Sequence, residues 1–227
     1  MLIQRCLVIA AHPDDEVLGC GGTMNRFVSE GVDVCCLILG EGVTSRDEQR
    51  NVELRRNEID VLKETARQAN KLLGVNEVFF GSLPDNRFDC MDLLDIIKVV
   101  EKYVDMLQPE WVFTHNCDDL NNDHRKTFQA VQTACRPVPG HSVTGFFSFP
   151  VPSSTEWNFE KVFCPNLFVD ISSSLEKKMQ AAEIYSTEMR EWPHPRSLKA
   201  IEDHARQFGV CVGKSAVEPF KIIRMGL

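Results

Sequence analysis

Two clusters of acidic and imidazole side chains constrain this chain more than any other feature, because each one directly follows an apolar run. The first is Ala11-His12-Pro13-Asp14-Asp15-Glu16, after Cys6-Leu7-Val8-Ile9-Ala10, and the second is Asp118-Asp119-Leu120-Asn121-Asn122-Asp123-His124, after Trp111-Val112-Phe113. Short apolar runs of this kind are typical of buried strands. Open α/β sheets bind their ligands at the carboxyl ends of such strands, so the two clusters are predicted to meet at one site.

The donors in these clusters suit a divalent metal ion. Imidazole plus carboxylate favours zinc, iron or a similar borderline metal, and a catalytic zinc takes three protein ligands while one position stays open to water. His12, one carboxylate of the Asp14–Asp15 pair, and His124 complete that set, which leaves the other carboxylate as a base. A plain turn with helix-capping aspartates explains either cluster alone, whereas two such clusters after two strands favour the metal site.

A glycine cluster, Gly19 to Gly22, follows the first motif and allows two interpretations. It permits close packing of a helix against the sheet, or it belongs to a dinucleotide-binding loop. The GxGxxG spacing of such a loop is missing, and the intervening carboxylates would repel a pyrophosphate. Close helix packing is therefore the favoured interpretation.

Strands and helices are predicted to alternate through most of the chain. The alternation indicates an α/β fold with a Rossmann-like, doubly wound and mainly parallel sheet, flanked by helices, in a single domain over residues 1–227. The predicted strands cover residues 6–10, 33–39, 77–80, 111–114, 144–149, 167–171 and 219–224. The predicted helices cover residues 16–29, 52–73, 91–107, 124–135 and 175–189, and a short one carries His204 and Arg206.

The net charge and the composition limit which binding partners and which cellular compartment are expected. The formal net charge of −8 argues against a nucleic-acid partner. The nine cysteines form no CxxC pair, and Cys6, Cys35 and Cys36 lie in apolar runs, so reduced core thiols in a cytoplasmic protein are expected rather than zinc ligands. No run approaches the roughly 20 apolar residues of a membrane span. The N-terminal run leads straight into the first motif, so no signal peptide is expected. A homo-oligomer is compatible with this composition.

The motifs resemble those of the LmbE/PIG-L family of zinc-dependent de-N-acetylases. The first family signature is similar to residues 11–16 followed by Leu18-Gly19-Cys20-Gly21-Gly22-Thr23, and the second is similar to Asp123-His124-Arg125. Supporting similarities extend over nearly the whole chain; they are Leu54-Arg55-Arg56-Asn57-Glu58, Leu73-Gly74-Val75, Leu83-Pro84-Asp85-Asn86 and Ala216-Val217-Glu218-Pro219-Phe220. The resemblance implies an enzyme that hydrolyses the N-acetyl group of a small amino sugar or glycoconjugate and releases acetate.

The resemblance also implies the residues at the metal. His12, Asp15 and His124 would bind one Zn²⁺ per chain, or another divalent ion, and Asp14 would be the general base. Asp123 is expected to orient His124 or another imidazole, a role that is compatible with capping a helix.

Three further residues are candidates for binding the substrate. Arg55 and Asp85 match family positions that contact the sugar, although a surface arginine and a turn aspartate are the plainer alternatives for them. His194 lies in a loop rich in proline and is a candidate contact or acid.

One position departs from the family pattern. Many relatives carry a histidine three residues before the last ligand, where this chain has Asn121. An amide can donate a hydrogen bond to an oxyanion, but it cannot act as a general acid. The acid role would then pass to Asp14 itself or to an imidazole, with His115 and His194 as candidates. A loop residue that only holds its own turn is the alternative for Asn121.

Two other functions stay open at this point. One is a metal-containing sugar-binding or regulatory protein without turnover, and the other is a family branch that acts on a thiol-conjugated amino sugar. The free carboxylate of Asp14 argues against the first, since a binding module needs ligands but no base beside them.

Overall fold

Seven strands and six helices follow one another in the order that the sequence predicts. The computed structural model describes residues 3–226. Its strands are β1 (Arg5–Ala10), β2 (Asp33–Gly40), β3 (Glu77–Leu83), β4 (Trp111–His115), β5 (Gly145–Phe149), β6 (Leu167–Asp170) and β7 (Val217–Met225). Its helices are α1 (Asp15–Ser29), α2 (Val52–Leu73), α3 (Leu93–Leu107), α4 (Asn122–Ala134), α5 (Leu175–Ile184) and α6 (Leu198–Cys211).

The strands form one sheet in the order β3-β2-β1-β4-β5-β7-β6. Strands β1 to β5 pair in parallel, whereas β7 runs antiparallel to both β5 and β6. The apolar runs of β1 and β2 are buried from end to end, as is typical of parallel strands that have helices on both faces. The predicted doubly wound, mainly parallel α/β fold is confirmed.

The strand order reverses between β1 and β4. After β1 the chain adds β2 and β3 on one side, and it then returns to place β4 and β5 on the other side. In such a sheet a crevice opens between the carboxyl ends of the two strands at the reversal, and ligands bind there. Both sequence clusters follow these two strands, so the topology brings them to one crevice.

The core occupies both faces of the sheet, because alternate residues of each strand point to opposite sides. On one face Val8 packs in a buried cluster with Met24 of α1 and Leu62 of α2. On the other face Leu7 belongs to a second cluster that contains Val100 of α3. The helices on both faces thus fix the position of the central strands whose ends carry the site.

The glycine cluster lets α1 approach the sheet closely. A Cβ atom on Gly19 would clash with the ring of Phe149, and one on Gly22 would lie 2.7 Å from the side chain of Ile171. Larger residues would therefore push α1 away from the sheet and move the motif at its N-terminus. The interpretation of these glycines as a packing device agrees with this arrangement.

Two helices differ from the prediction in their length. The first is α5, which ends at Ile184 and not near residue 189, because the chain turns inward there to bury Tyr185. The Tyr185 hydroxyl donates a hydrogen bond to Oε1 of Glu16 at 2.6 Å. The second is α6, which has 14 residues and is longer than the short helix predicted around His204 and Arg206.

A buried ion pair joins α1, α5 and β7. Nζ of Lys178 donates to Oε1 of Glu218 at 2.6 Å and to the carbonyl of Leu18 at 2.8 Å. The same carboxylate accepts hydrogen bonds from the backbone N–H groups of Gly22 and Thr23. The C-terminal motif around Glu218 therefore fixes the middle of the helix that begins at the site.

The cysteines are unpaired, and several of them lie in the core. All nine cysteines are free, and Cys6, Cys35 and Cys36 are buried. Between residues 3 and 226, no helix has the length and the apolar character needed to cross a bilayer.

Candidate metal centre and its cavity

The two clusters meet where β1 and β4 end side by side. His12 lies in the turn that joins β1 to α1, and Asp15 is the first residue of α1. From the other strand, His115 ends β4 and His124 lies in the first turn of α4. The site is thus assembled from the ends of two neighbouring strands and the starts of the helices that follow them.

His12, Asp15 and His124 form a group that fits one metal ion. Each offers one ligand atom, and these atoms lie within 4.8 Å of one another. Oδ2 of Asp15 lies 3.3 Å from Nδ1 of His12 and 3.2 Å from Nε2 of His124. The contact of Nε2 of His124 with Asp15 lacks hydrogen-bond geometry, so this nitrogen and Oδ1 of Asp15 are both buried without a hydrogen-bond partner. Buried polar atoms are nearly always satisfied, so these two indicate a missing ligand, and a divalent ion matches this donor set.

Charge within the group also favours a cation. Burial alone would raise the pKa of Asp15, but the imidazoles of His124 and His12 hold that pKa well below its usual range. Burial alone would lower the pKa of His124, yet the carboxylates of Asp15 and Asp119 raise it to about 9. The buried carboxylates beside these imidazoles therefore make an electrostatic environment that attracts a divalent ion.

Asp119 orients His124. Oδ1 of Asp119 lies 3.1 Å from Nδ1 of His124. The hydroxyl groups of Ser154 and Thr155 also donate hydrogen bonds to this carboxylate. Burial opposes ionisation of Asp119, but these contacts, led by that with His124, bring its pKa to about 2. Asp119 has no signal in the sequence that separates it from Asp123, because adjacency alone does not tell which acid of the cluster faces which imidazole.

Asp123 contacts the imidazole of His12 instead. Its Oδ2 lies 3.1 Å from Nε2 of His12, and its Oδ1 accepts a hydrogen bond from the backbone N–H of Phe88 at 3.0 Å. The broader expectation, that Asp123 orients one of the imidazoles, thus points to His12 and not to His124. The helix cap is Asn121, whose Oδ1 accepts from the N–H of Asp123 at 2.8 Å.

Asp14 lies beside the group of His12, Asp15 and His124 and lines an open cavity. Its backbone has φ 109°, a conformation that residues other than glycine rarely adopt. Strain of this kind costs about 1–3 kcal/mol and concentrates at functional sites. The unusual φ explains how neighbouring residues face different ways, with Asp15 in the metal group and Asp14 in the cavity.

Arg196 pairs with Asp14. Nη1 of Arg196 donates to Oδ2 of Asp14 at 2.9 Å, and its Nε donates to the hydroxyl of Ser153 at 2.8 Å. Burial raises the pKa of Asp14 well above its usual value, while the guanidinium of Arg196 acts in the opposite direction. No sequence signal identified Arg196, which lies in an irregular loop far from the motifs.

His115 lies at the site but is unsuited to the acid role. It is fully buried, and its ring stacks on His124 with 3.9 Å between the centroids. Nε2 of His115 accepts a hydrogen bond from the N–H of Ala11 at 2.7 Å, which assigns the proton of the neutral ring to Nδ1. Burial holds the pKa of His115 well below its ordinary value. The ring is therefore neutral at pH 7 and carries no acidic proton towards the cavity.

A polar cavity of about 200 Å³ lies in front of the metal group. Four of the predicted site residues line it, namely His12, Asp14, Asp85 and Asn121. The other lining residues were not predicted from the sequence; they are Pro13, Gly42, Ser45, Arg46, Asn86, Glu188, Arg190 and Arg196. Three arginines and three carboxylates line this small cavity, so its charge is balanced although the protein as a whole is acidic.

Asn86 connects Asp85 to Asn121 in the wall of this cavity through its side-chain hydrogen bonds. Oδ2 of Asp85 accepts from the N–H of Ser45 at 3.0 Å, and its Oδ1 lies 3.4 Å from Nε2 of His12. Nδ2 of Asn121 donates to Oδ1 of Asn86 at 3.1 Å. The amide of Asn121 thus has two uses, since its oxygen caps α4 while its nitrogen points into the cavity wall.

Arg55 and His194 do not line the cavity. Arg55 forms a two-pronged ion pair with Asp47 and a further contact with Glu58 on α2. His194 accepts a hydrogen bond on Nδ1 from the N–H of Arg196 at 3.0 Å. His194 therefore shapes the loop that presents Arg196 and has no direct place in the cavity. Both substrate contacts stay predictions that no contact in the cavity supports.

Comparison with known proteins gives one family and one fold. A family model described as GlcNAc-PI de-N-acetylase (PIG-L) matches residues 7–135. The uncharacterized deacetylase YaiS of Escherichia coli (strain K12) is 30% identical over 138 residues, which are 59% of this chain and 69% of that protein. The diacetylchitobiose deacetylase of Thermococcus kodakarensis is 26% identical over 197 residues, 83% of this chain and 72% of the relative.

The fold is also shared with an enzyme of a different reaction class. The crystal structure of GalB, the 4-carboxy-2-hydroxymuconate hydratase of Pseudomonas putida KT2440, superposes with a TM-score of 0.79 at 21% identity and covers 99% of this chain and 98% of that one. Likeness at this identity shows a common fold alone. The reaction must therefore be argued from the site and from the family.

Proposed function

The chain belongs to the GlcNAc-PI de-N-acetylase (PIG-L) family, and from this premise we propose that it is a zinc-dependent N-deacetylase of an amino sugar or glycoconjugate. The reaction is hydrolysis of the acetamide, which gives acetate and a free amine. One observation carries the proposal. His12, Asp15 and His124 converge on a metal-sized space, while the adjacent Asp14 is held outside that group and faces the cavity.

The metal would be held by His12, Asp15 and His124. When bound, such an ion polarises the amide carbonyl and lowers the pKa of a water molecule towards about 7. Two imidazoles and one carboxylate leave a coordination position free, which is the arrangement of catalytic and not of structural zinc sites. Asp119 and Asp123 hold the two imidazole ligands in place.

Asp14 serves as the general base in this proposal. It removes a proton from the water whose oxygen attacks the acetamide carbon, and the C–N bond then breaks. Arg196 favours the ionised carboxylate that this step needs. Asp14 then returns the proton to the leaving nitrogen, since Asn121 carries no transferable proton and His115 is buried and neutral. One carboxylate thus acts first as base and then as acid.

Asn121 and Asp85 contact the substrate in this proposal. Nδ2 of Asn121 donates a hydrogen bond to the oxygen that gains negative charge when water adds to the carbonyl. The carboxylate of Asp85 accepts a hydrogen bond from a sugar hydroxyl group, and its own contact with Ser45 keeps it in place. The polar lining of the cavity suits a hydroxylated ring.

A sugar-binding or regulatory protein without turnover is the main alternative. Such a protein would have no use for the strained backbone and the arginine partner that hold Asp14 in the cavity. These two features favour the enzyme. A substrate conjugated to a thiol would place the same acetamide at the same residues and is a variant of the proposed reaction.

A panel of N-acetylated amino sugars tests the proposal. The zinc-loaded protein is incubated with free sugars, nucleotide sugars and simple glycosides, and mass spectrometry follows the loss of one acetyl group. We expect loss from at least one member of the panel, and none from the same member with the Asp14→Asn variant. Binding of a sugar without any acetyl loss across the panel would support the non-catalytic alternative.

A further inference from the structure

A groove of about 380 Å³ lies beside the cavity, between α2 and the segment that follows α5. Its volume falls in the range of small-molecule sites, about 300–1,000 Å³. The residues that line it are Val43, Arg46, Asn57, Glu58, Val61, Leu62, Thr65, Ile184, Ser186, Thr187 and Glu188. We call this feature the α2 groove.

The α2 groove is continuous with the catalytic cavity. Arg46 and Glu188 line both, and Nη2 of Arg46 donates to Oε1 of Glu188 at 2.7 Å. This ion pair is therefore the shared wall between the two spaces. A molecule that fills the cavity and is longer than one sugar ring extends across the pair into the groove.

The groove has an apolar floor and a polar rim. Val61 and Leu62 lie on the face of α2 that points into it, at the i+4 spacing from Asn57 and Glu58 that places residues on one side of a helix. Across the groove, Ile184 provides a further apolar wall. Val61 is 66% exposed, and its position within a concave wall distinguishes it from an isolated surface residue.

Charge in the groove is balanced within the protein. Glu188 is paired with Arg46, and Glu58 is paired with Arg55. A charged occupant would find each charged lining residue, Arg46, Glu58 and Glu188, already paired with a side chain of opposite charge. The groove therefore favours an uncharged and largely apolar occupant.

We propose that the α2 groove binds an apolar aglycone attached to C1 of the N-acetylated amino sugar. This inference rests on the proposed deacetylase function. In a 2-acetamido sugar, C1 is bonded directly to the carbon that carries the reacting amide. A substituent on C1 accordingly leaves the ring next to the catalytic centre and reaches the shared wall at Arg46 and Glu188. Burial of the aglycone against Val61, Leu62 and Ile184 makes the enzyme selective for substrates with an apolar group on C1.

The first experiment compares two glycosides of N-acetylglucosamine, with methyl and with n-octyl as the aglycone, below the critical micelle concentration of the latter. The wild-type enzyme is expected to show a kcat/KM for the octyl glycoside at least about 10-fold above that for the methyl glycoside, since one methylene in an apolar pocket can already change selectivity by about that factor. Val61→Glu is expected to bring this ratio close to one. A wild-type ratio within about twofold of one would overturn the proposal.

Leu54→Glu is the matched control. Leu54 lies on the same helix and is 69% exposed, but it does not line the groove. We expect it to keep the wild-type ratio of kcat/KM values. Equal loss of selectivity in the Leu54 and Val61 variants would assign the effect to helix surface charge and would overturn the proposal.

Calorimetric titration separates the failure of this inference from the failure of the proposed function. If the wild-type protein deacetylates neither glycoside, the deacetylase proposal fails, and binding still tests the groove. The wild-type protein is then expected to bind the octyl glycoside at least about 10-fold more tightly than the methyl glycoside. The Val61→Glu variant is expected to bind both glycosides with equal affinity. Equal affinity of the wild-type protein for both, as expected if the groove holds a protein segment instead, would reject the aglycone site.

Discussion

Arg196 donates a hydrogen bond to Asp14 at 2.9 Å, although 182 residues separate them in the chain. The pair connects the carboxylate of Asp14, which lies in the first motif, to a loop that has no motif of its own. Burial raises the pKa of Asp14, and the guanidinium opposes that rise. Arg196 thus determines how much of the base is ionised at a given pH.

Replacing Arg196 with methionine should move the acidic limb of the kcat/KM profile to higher pH. The base acts only when ionised, and loss of the cation raises its pKa, so activity at low pH falls first. An opposite charge at this distance lowers a carboxyl pKa by about 1–3 units, and we expect a shift of about one unit. Arg190→Met is the control, because Arg190 lines the same cavity but donates to backbone carbonyls. Identical acidic limbs in all three proteins would rule out this role.

Asp14→Asn should keep the metal and lose about 10²–10⁴-fold in turnover, as is typical when a general base is removed. Asparagine tolerates the positive φ at this position, so the backbone is expected to stay in place. Elemental analysis of the purified proteins gives the metal content, and His12→Ala is the comparison that should lose it. A metal-free Asp14→Asn protein would mean that Asp14 and Asp15 exchange roles.

Asp119→Asn should weaken metal binding by about 10–100-fold, the usual effect of removing a group that orients a histidine ligand. The pKa of Asp119 is about 2, below its ordinary value of 3.8. Its carboxylate is therefore charged at neutral pH and loses that charge only as the pH falls through about 2. Metal titrations at pH 7 therefore measure the effect of the charged form. Asp118→Asn is the matched control, since Asp118 pairs with Lys161 at the surface. Wild-type metal affinity in both variants would disprove the role of Asp119 in orienting His124.

The sequence predicted the metal group more fully than the cavity. His12, Asp15 and His124 follow strands whose apolar runs are easily recognised, and the topology of a parallel sheet brings such strand ends together. Arg196 follows no such rule, because it lies in an irregular loop between α5 and α6. Arg55, for which the family resemblance implies a sugar contact, pairs with Asp47 and Glu58, and its contact with the sugar stays a prediction. Contacts between irregular segments depend on tertiary packing and leave no periodic signal.

Lys178→Met should destabilise the protein by about 3 kcal/mol, because it leaves the carboxylate of Glu218 buried without its cation. Adding Glu218→Gln to the Lys178→Met variant should lower the free energy of unfolding by less than the same change does in the wild type, because the charge it removes is already unpaired. Chemical denaturation of the four proteins in this cycle gives the coupling. Lys199→Met removes an exposed pair with Asp203 and should change stability by no more than about 0.5 kcal/mol. If the two single changes in the free energy of unfolding simply add in the double variant, Lys178 and Glu218 do not act as a buried pair.

Asn121→Ser should reduce kcat by about 10²–10³-fold per bound metal, which is the usual cost of losing one donor to the oxyanion. The serine is chosen because Asn121 has two roles, and serine keeps one of them. Its hydroxyl can replace Oδ1 as the cap of α4, whereas it cannot replace the Nδ2 that points into the cavity wall. Stability and metal content should therefore stay near the wild-type values while turnover falls.

Asn121→Ala supplies the comparison for the helix cap, and Asn121→His supplies the comparison for the reaction. Alanine removes both roles, so we expect the same loss of kcat together with a loss of about 1 kcal/mol in stability. Histidine places an imidazole at this position and provides a donor that can also release a proton. Its kcat should exceed that of the serine variant, with a smaller change in KM than in kcat. If turnover per bound metal in the serine variant stays within twofold of the wild type, Asn121 only holds its turn, and the oxyanion must find its donor elsewhere in the cavity.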